Sequence, residues 1–307
     1  MSLDPLVSVI MPLYNKRQYV LDSIKSVQSQ TYSNWELIIV DDGSTDGSAD
    51  VVPDDDSRIK LFRQSNSGPG AARNAAVKKT SGDYVAFIDA DDWYYPIKLQ
   101  KEVELLWHQH EAEWMMSAYD YQLNGVTKRY YMRDIHNAEI KDATITFNDT
   151  LNQLTVAGWP SDGLFMKKTL FEQLGGFRED LKFGEISEFI LRIALKQPVM
   201  VICHIPLYLH IDVPWSTAKS MDNRVRYQRQ MGETLALLAK EYPRYANLLR
   251  SKGCSFMISY GASLLMDGKR KEVRNFLHRD FNYKRNKYWW KLWAGSWLPR
   301  PLLKRLM

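Results

Sequence analysis

A chain of 307 residues, 45% hydrophobic and 25% charged, is long enough to bury one large core or two modest ones, and its composition excludes disordered and fibrous classes. Cys203 and Cys254 form no CxxC or Cys/His spacing, which argues against a disulfide framework or a zinc site and for a reducing cytosol. The net charge of +5 is uneven, because 12 Lys/Arg against 2 acids lie from Lys269 onward and leave the rest of the chain net negative.

In chain order, Val7–Leu13 is a continuous apolar run closed by Tyr14-Asn15-Lys16, with no signal segment before it. Tyr19–Gln30 carries Val20, Ile24 and Val27 at helical spacing. Trp35–Val40 and Arg58–Arg63 read as strands, Gly70–Thr80 as a helix and Tyr84–Asp89 as a fourth strand. Alternation of this kind predicts an α/β fold, with a mostly parallel sheet and helices on both faces. Residues 116–215 are less regular, with strand-like Val199–Ile205 and a helix over Gly184–Lys196. The longest apolar stretch, Val199–Leu209, contains His204 and is too short to span a bilayer. From Ser220 to Leu277 the pattern is helical.

Three polar clusters each follow a strand: Tyr14-Asn15, Asp41-Asp42-Gly43-Ser44 and Asp89-Ala90-Asp91-Asp92. In open α/β sheets that edge is where ligands bind, so the topology gathers all three at one crevice. At least two side chains of the Asp89–Asp92 run can converge on Mg²⁺ or Mn²⁺ shared with substrate phosphates. Alone, the run would read as a solvated turn capping a helix. Asn66-Ser67-Gly68-Pro69-Gly70-Ala71-Ala72-Arg73-Asn74 is a Gly-rich approach to a helix and suits a nucleotide contact through backbone donors and a guanidinium, although it is neither a P-loop nor GxGxxG.

Val7–Asn15, Ile39–Asp46, Gly70–Asn74 and Phe87–Asp92, in this order and spacing, resemble the successive motifs of family 2 glycosyltransferases over roughly the first hundred residues. The resemblance implies a GT-A fold, a nucleotide-sugar donor (commonly UDP-linked) and inversion at the anomeric carbon. It implies base contacts at Asp42 and Arg73 and a nucleobase pocket lined by Pro12 and Tyr14. Nucleotide, ribose and metal contacts fall on Asp89-Ala90-Asp91-Asp92, with Asp91 as first choice for the metal and Asp92 next.

An inverting transfer needs a general base. Gly175–Glu185 resembles the family stretch leading to a Glu-Asp pair, whose Asp is usually the base, but here Glu185 is followed by Ile186. Ile186, Phe189, Ile190, Ile193 and Ala194 form an apolar stripe that would turn Ile186 into the core and leave Glu185, Glu188 and Arg192 on another face. Glu185 is therefore the expected base, held ionised by the helix dipole, with Glu188 and Asp162 as rivals. Glu188 is also read as an ion-pair partner of Arg192. Tyr208-Leu209-His210 and Trp215-Ser216-Thr217 resemble the family's loop over the diphosphate, which makes His210 a phosphate or metal candidate; Trp159 and Trp215 are candidates for stacking on a sugar.

The tail interleaves cations with rings over Lys284–Trp293 and Trp297–Leu306, a composition suited to an anionic lipid surface rather than to nucleic acid, or else to packing on the main domain. The expected organisation is a donor half (1–115), an acceptor half (116–219) and a helical extension (220–307). The expected protein is a metal-dependent (Mn²⁺ or Mg²⁺) inverting hexosyl- or N-acetylhexosaminyltransferase, peripheral on the cytoplasmic face of the plasma membrane. It would act on a saccharide or lipid-linked acceptor in polysaccharide or lipopolysaccharide assembly. The alternatives are a non-catalytic nucleotide-sugar-binding protein and a sugar nucleotidyltransferase.

Overall fold

Strands buried on both faces are mostly apolar, and their polar exceptions must be paired: Val7–Leu13 (β1) is buried at every position except the half-buried Pro12, Trp35–Asp41 (β2) is buried at every position, and Ser8 Oγ on β1 donates to Glu36 Oε1 on β2 at 2.8 Å. The computed structural model describes residues 4–130, 144–147, 160–181, 183–213, 221–279 and 287–297. Ile59–Arg63 (β3) and Tyr84–Phe87 (β4) complete a parallel block in the order β3-β2-β1-β4. The helices Val20–Gln28 (α1) and Pro69–Val77 (α2) connect these strands.

The sheet continues through Trp93–Tyr94 (β5), Trp114–Leu123 (β6), Val126–Tyr130 (β7), Thr144–Phe147 (β8), Leu164–Lys167 (β9) and Met200–Asp212 (β10). Its order is β3-β2-β1-β4-β9-β6-β10-β5, with β7 on β6 and β8 on β10. Here the expectation of a mostly parallel sheet needs correcting. The short β9 runs antiparallel to both β4 and β6, and of the later pairs only β6 with β10 is parallel. The sheet is mixed, with its parallel character concentrated in the first four strands.

One face of the sheet is covered by α1 and by Lys98–His108 (α3). Val20, Ile24, Val27, Leu99, Val103 and Leu106 share a core with Val7, Val9, Met11 and Leu13. On the other face lie Lys168–Gln173 (α4) and Glu185–Lys196 (α5), where Phe87, Phe171, Phe177 and Phe189 pack as tilted and edge-on rings 4.5–6.0 Å apart.

β1 runs past the end of β4. Their last register pair is Ile10 with Phe87, so Pro12 lies beyond it and its missing N–H interrupts no ladder on that side. The strand order reverses direction at β1, and the chains leaving β1 and β4 diverge from one another there. That divergence is the topological switch point at which doubly wound sheets bind ligands.

The chain divides into two compact units, residues 1–214 and 215–307. The expected boundary at 115/116 falls inside β6. The second unit contains Met221–Glu241 (α6), Ala246–Met266 (α7), Arg270–Arg279 (α8) and Lys287–Gly295 (α9). Its own core is built from residues such as Met257, Leu264, Val273, Phe276, Trp289 and Leu292. Among the described residues, no helix is long and apolar enough to cross a membrane.

Candidate functional site

The turn after β4 brings Asp89, Ala90, Asp91 and Asp92 to the switch point, closed by an Asp92 N–H to Asp89 carbonyl bond of 3.0 Å. A 3-10 turn, Ser161–Gly163, enters β9 beside it, and Asp162 Oδ1 accepts from the Asp89 amide at 3.1 Å and from Ser161 Oγ at 3.1 Å. Asp89, Asp92 and Asp162 thus offer carboxylate oxygens within 4.8 Å of one another. Burial drives the carboxyls of Asp92 and Asp162 well above the ordinary range; the Asp89 charge pushes both further, while the hydrogen bond between the two raises Asp162 and lowers Asp92. Burial would raise Asp89 as well, but the adjacent Arg73 guanidinium holds it below its usual value.

No N–H or hydroxyl among the described residues donates to the buried Asp162 Oδ2, which is costly unless a proton shared with Asp92 or a cation engages it. A carboxylate cluster with an orphaned oxygen fits a hard divalent cation, so the donor set suits Mg²⁺ or Mn²⁺. The membership differs from the expectation. Asp92 belongs to the cluster and Asp162, expected only as a rival base, joins it, whereas Asp91 is instead ion-paired with Lys16 at 2.5 Å. His210, on β10, places Nδ1 2.7 Å from Asp92 Oδ2 and stacks on Tyr121, while the Ile211 amide donates to Asp92 Oδ1 at 2.7 Å. His210 therefore adjoins the cluster through Asp92.

Arg73 was expected to face the base. It is instead only 3% exposed, with Nη1 donating to Glu185 Oε1 at 3.0 Å and Nη2 to Asp89 Oδ1 at 2.6 Å and Ser161 Oγ at 3.2 Å. Its position on α2 faces the sheet, so the guanidinium joins four elements beneath the carboxylates. Asp42 is likewise engaged within the chain. Its Oδ1 accepts from Gln64 Nε2 and the Ser67 amide and its Oδ2 from the Gly68 amide, all at 2.8 Å. The carboxylate shapes the loop leading to α2. Gly43, at φ 78°, makes the preceding turn in the left-handed region that favours glycine.

Pro12 is half-buried, Ala90 is buried, and Tyr14 stands 48% exposed at the end of β1, the most open ring of the expected pocket.

On α5, both oxygens of Glu188 are engaged. Arg192 pairs with both its oxygens, at 2.8 and 2.9 Å, and also donates to the carbonyls of Leu174 and Gly176 at 2.6 and 2.7 Å. That clamp fixes the Gly175-Gly176 turn, which Asn74 holds from α2 through the Phe177 amide at 2.8 Å. The face argument for Ile186 also fails, because Ile186 is half-buried while Glu185, at 6% exposure, is the buried one. Phe189, Ile190, Ile193 and Ala194 form the buried stripe as expected. One Glu185 oxygen is held by Arg73, and no hydrogen bond among the described residues uses the other. Trp159, Trp215, Ser216 and Thr217 lie outside the described residues.

Ser161, Gln64 and Lys16 carry no motif signal of their own in the sequence. Each sits in a polar loop without periodicity, and only strand order brings them to this edge.

A mixed sheet with a parallel nucleotide-binding half, a switch-point crevice and an Asp-rich turn after β4 defines the GT-A class of nucleotide-sugar transferases. The profile of Glycosyl transferase family 2 matches residues 8–170, and the chain belongs to that family. It is 44% identical over 105 residues to UDP-Glc:alpha-D-GlcNAc-diphosphoundecaprenol beta-1,3-glucosyltransferase WfgD of Escherichia coli, covering 34% of this chain and 42% of WfgD. It is 30% identical over 226 residues to glycosyltransferase GlyA of Streptococcus pneumoniae, covering 68% of this chain and 31% of GlyA. The matched part is thus under half the length of either relative. Residues 1–349 of S. aureus TarS in complex with UDP-GlcNAc superpose with a TM-score of 0.60 at 18% identity, covering 94% of this chain and 79% of that one, a likeness of fold.

Proposed function

We propose that this chain is an inverting glycosyltransferase that moves a sugar from a nucleotide-sugar, a UDP-sugar by the chemistry of its relatives, to a saccharide or lipid-linked saccharide acceptor in cell-surface polysaccharide assembly. The observation that carries this reading is the meeting of Asp89, Asp92 and Asp162 at the β1/β4 switch point, within 4.8 Å, on a scaffold held by Arg73. WfgD, by its name, uses UDP-Glc and a diphosphoundecaprenol-linked acceptor, and TarS is complexed with UDP-GlcNAc; both support the donor class.

Asp89, Asp92 and Asp162 would hold Mn²⁺ or Mg²⁺, with Asp91 contributing once it is released by Lys16. The ion would offset the negative charge on the departing nucleoside diphosphate. Tyr14 offers a ring to the nucleobase, and the Asp42-shaped loop closes the other side of the pocket. Glu185 is the proposed base: the oxygen that Arg73 does not hold would accept the acceptor hydroxyl's proton, and Arg73 orients the carboxylate.

A second reading, binding without transfer, is favoured by one feature: Ile186 stands where the family carries its Asp, and Glu185 already serves Arg73. Incubation with a UDP-sugar panel and Mn²⁺ separates the two. Release of UDP that depends on an added acceptor supports transfer, and tight UDP-sugar binding without turnover supports the second reading. Nucleotide triphosphate consumption with pyrophosphate release would point to a nucleotidyltransferase.

The second unit supports a place at an anionic membrane surface. Residues 215–307 hold 20 Lys/Arg and 6 Asp/Glu, a net +14 against −9 for residues 1–214. Trp290, Trp293 and Trp297, at 55%, 38% and 63% exposure, follow one another edge-on along the α9 end of this unit. Exposed rings beside cations suit an interface of headgroups and acyl chains. The tail segments 284–286 and 298–307 lie outside the described residues.

A further inference from the structure

Of the described cations at the ligand edge, Arg73 serves Asp89 and Glu185, Arg17 donates to the Gly47 carbonyl at 2.9 Å, and Arg63 pairs with Asp50 at 3.1 Å. Lys16 is placed differently. It leaves β1, spans the switch point and sets Nζ 2.5 Å from Oδ2 of Asp91 on the turn after β4.

The backbone that carries it is fastened to the loop after β2. The Asn15 amide donates to Ser44 Oγ at 3.0 Å, and Asn15 Oδ1 accepts from the Thr45 amide at 2.8 Å. The Lys16 amide donates to Ser48 Oγ at 2.8 Å and the Arg17 amide to Asp46 Oδ2 at 3.1 Å. Asn15, at φ 50°, makes the sharp turn that lets these bonds form. The main chain is therefore fixed while the ammonium retains its flexible stem. Lys16 is a quarter exposed and Asp91 nearly buried. A partly hydrated lysine–carboxylate pair is weak enough to be exchanged for a better partner.

We infer that Lys16 is a donor-site residue with two partners. Its ammonium holds Asp91 in this structure; with the donor bound, Lys16 yields Asp91 to a divalent cation and turns its ammonium to the diphosphate oxygens. This rests on the nucleotide-sugar reading above. The chemistry is an exchange of ion pairs at constant protonation: one carboxylate loses an ammonium and gains a cation, and the ammonium gains phosphate oxygens.

Calorimetry on the full chain tests it with two probes, Mn²⁺ alone and UDP in excess EDTA. Lys16→Met should bind Mn²⁺ alone about two- to fivefold more tightly than the unsubstituted chain, since a partly hydrated ion pair no longer competes for Asp91. It should bind UDP in EDTA at least about tenfold more weakly, the value of a charge-assisted hydrogen bond. Lys16→Arg should keep UDP binding near that of the unsubstituted chain. Asp91→Asn, which frees the ammonium, should hold UDP in EDTA at least as tightly as before, so the proposal stays testable if Lys16→Met folds poorly. Equal Mn²⁺ affinity in Lys16→Met, or a loss of UDP binding in Asp91→Asn, overturns the inference while leaving the donor reading in place. Failure of the unsubstituted chain to bind UDP even with Mn²⁺ overturns the donor reading and this inference with it.

Discussion

Arg73 on α2 and Glu185 at the start of α5, 112 positions apart in sequence, meet at 3.0 Å in the interior. The same guanidinium reaches Asp89 at 2.6 Å, so one buried cation lies between the carboxylate proposed as base and the carboxylates proposed for the metal. Removing one partner of a buried pair leaves an uncompensated charge, which costs more than the pair itself contributes.

Arg73→Ala should therefore lower unfolding free energy by about 3–5 kcal/mol, the usual cost of breaking a buried ion pair. Urea unfolding checks this. A residue that only touched the nucleobase would change UDP affinity and leave the unfolding midpoint where it was.

Glu185→Gln and Glu188→Gln should behave differently. Glu185→Gln should lower turnover by about 10²-fold or more in the folded protein, the usual contribution of a general base, with donor affinity nearly unchanged. It should also lose stability, because its ion pair with Arg73 is broken. Glu188→Gln should mainly lower stability, because it loosens the Arg192 clamp on the Gly175-Gly176 turn. Equal loss of turnover in both variants, with stability preserved in both, would refute the assignment.

Asp162→Asn and Asp92→Asn should each weaken Mn²⁺ binding measured without nucleotide by about tenfold or more, since each removes an anionic oxygen from a hard-cation site. Asp162→Asn is the sharper test. A chain that binds Mn²⁺ as before without this carboxylate would place the metal elsewhere, with Asp91 as the next ligand to substitute.

Replacing Trp290, Trp293 and Trp297 together by Ala should reduce co-sedimentation with anionic vesicles and leave UDP binding intact. Residual binding should fall steeply with salt, because the cations that remain are each worth about 1 kcal/mol near the surface at physiological ionic strength. Salt-independent binding of the triple variant, or indifference of the unsubstituted chain to anionic vesicles, would remove the membrane reading.

The first hundred residues were largely legible as sequence because their signals are local. β1 was read at its observed bounds and β2 to within one residue, since a buried parallel strand must be a continuous apolar run closed by polar residues. Strand β9 was not legible: Leu164–Lys167 is four residues long and antiparallel, and nothing in so short a run distinguishes it from a buried helix end. The substitution at Ile186 was also visible in the sequence, although its placement was not. Helical periodicity put Ile186 in the core, whereas the buried position at the start of α5 went to Glu185, because a cation on another element waits there.

The sequence alone thus determined the first four strands to within about two residues at their ends, and therefore which of their loops reach the ligand edge, because those ends depend on the near neighbours of each residue. Only the tertiary structure decided what the polar side chains do on arrival. Asp42 meets Gln64 over 22 positions, Asp89 meets Asp162 over 73 and Lys16 meets Asp91 over 75. A buried charge takes whatever partner the packing delivers, and a carboxylate that looks like a ligand contact in a motif becomes a scaffold when donors surround it.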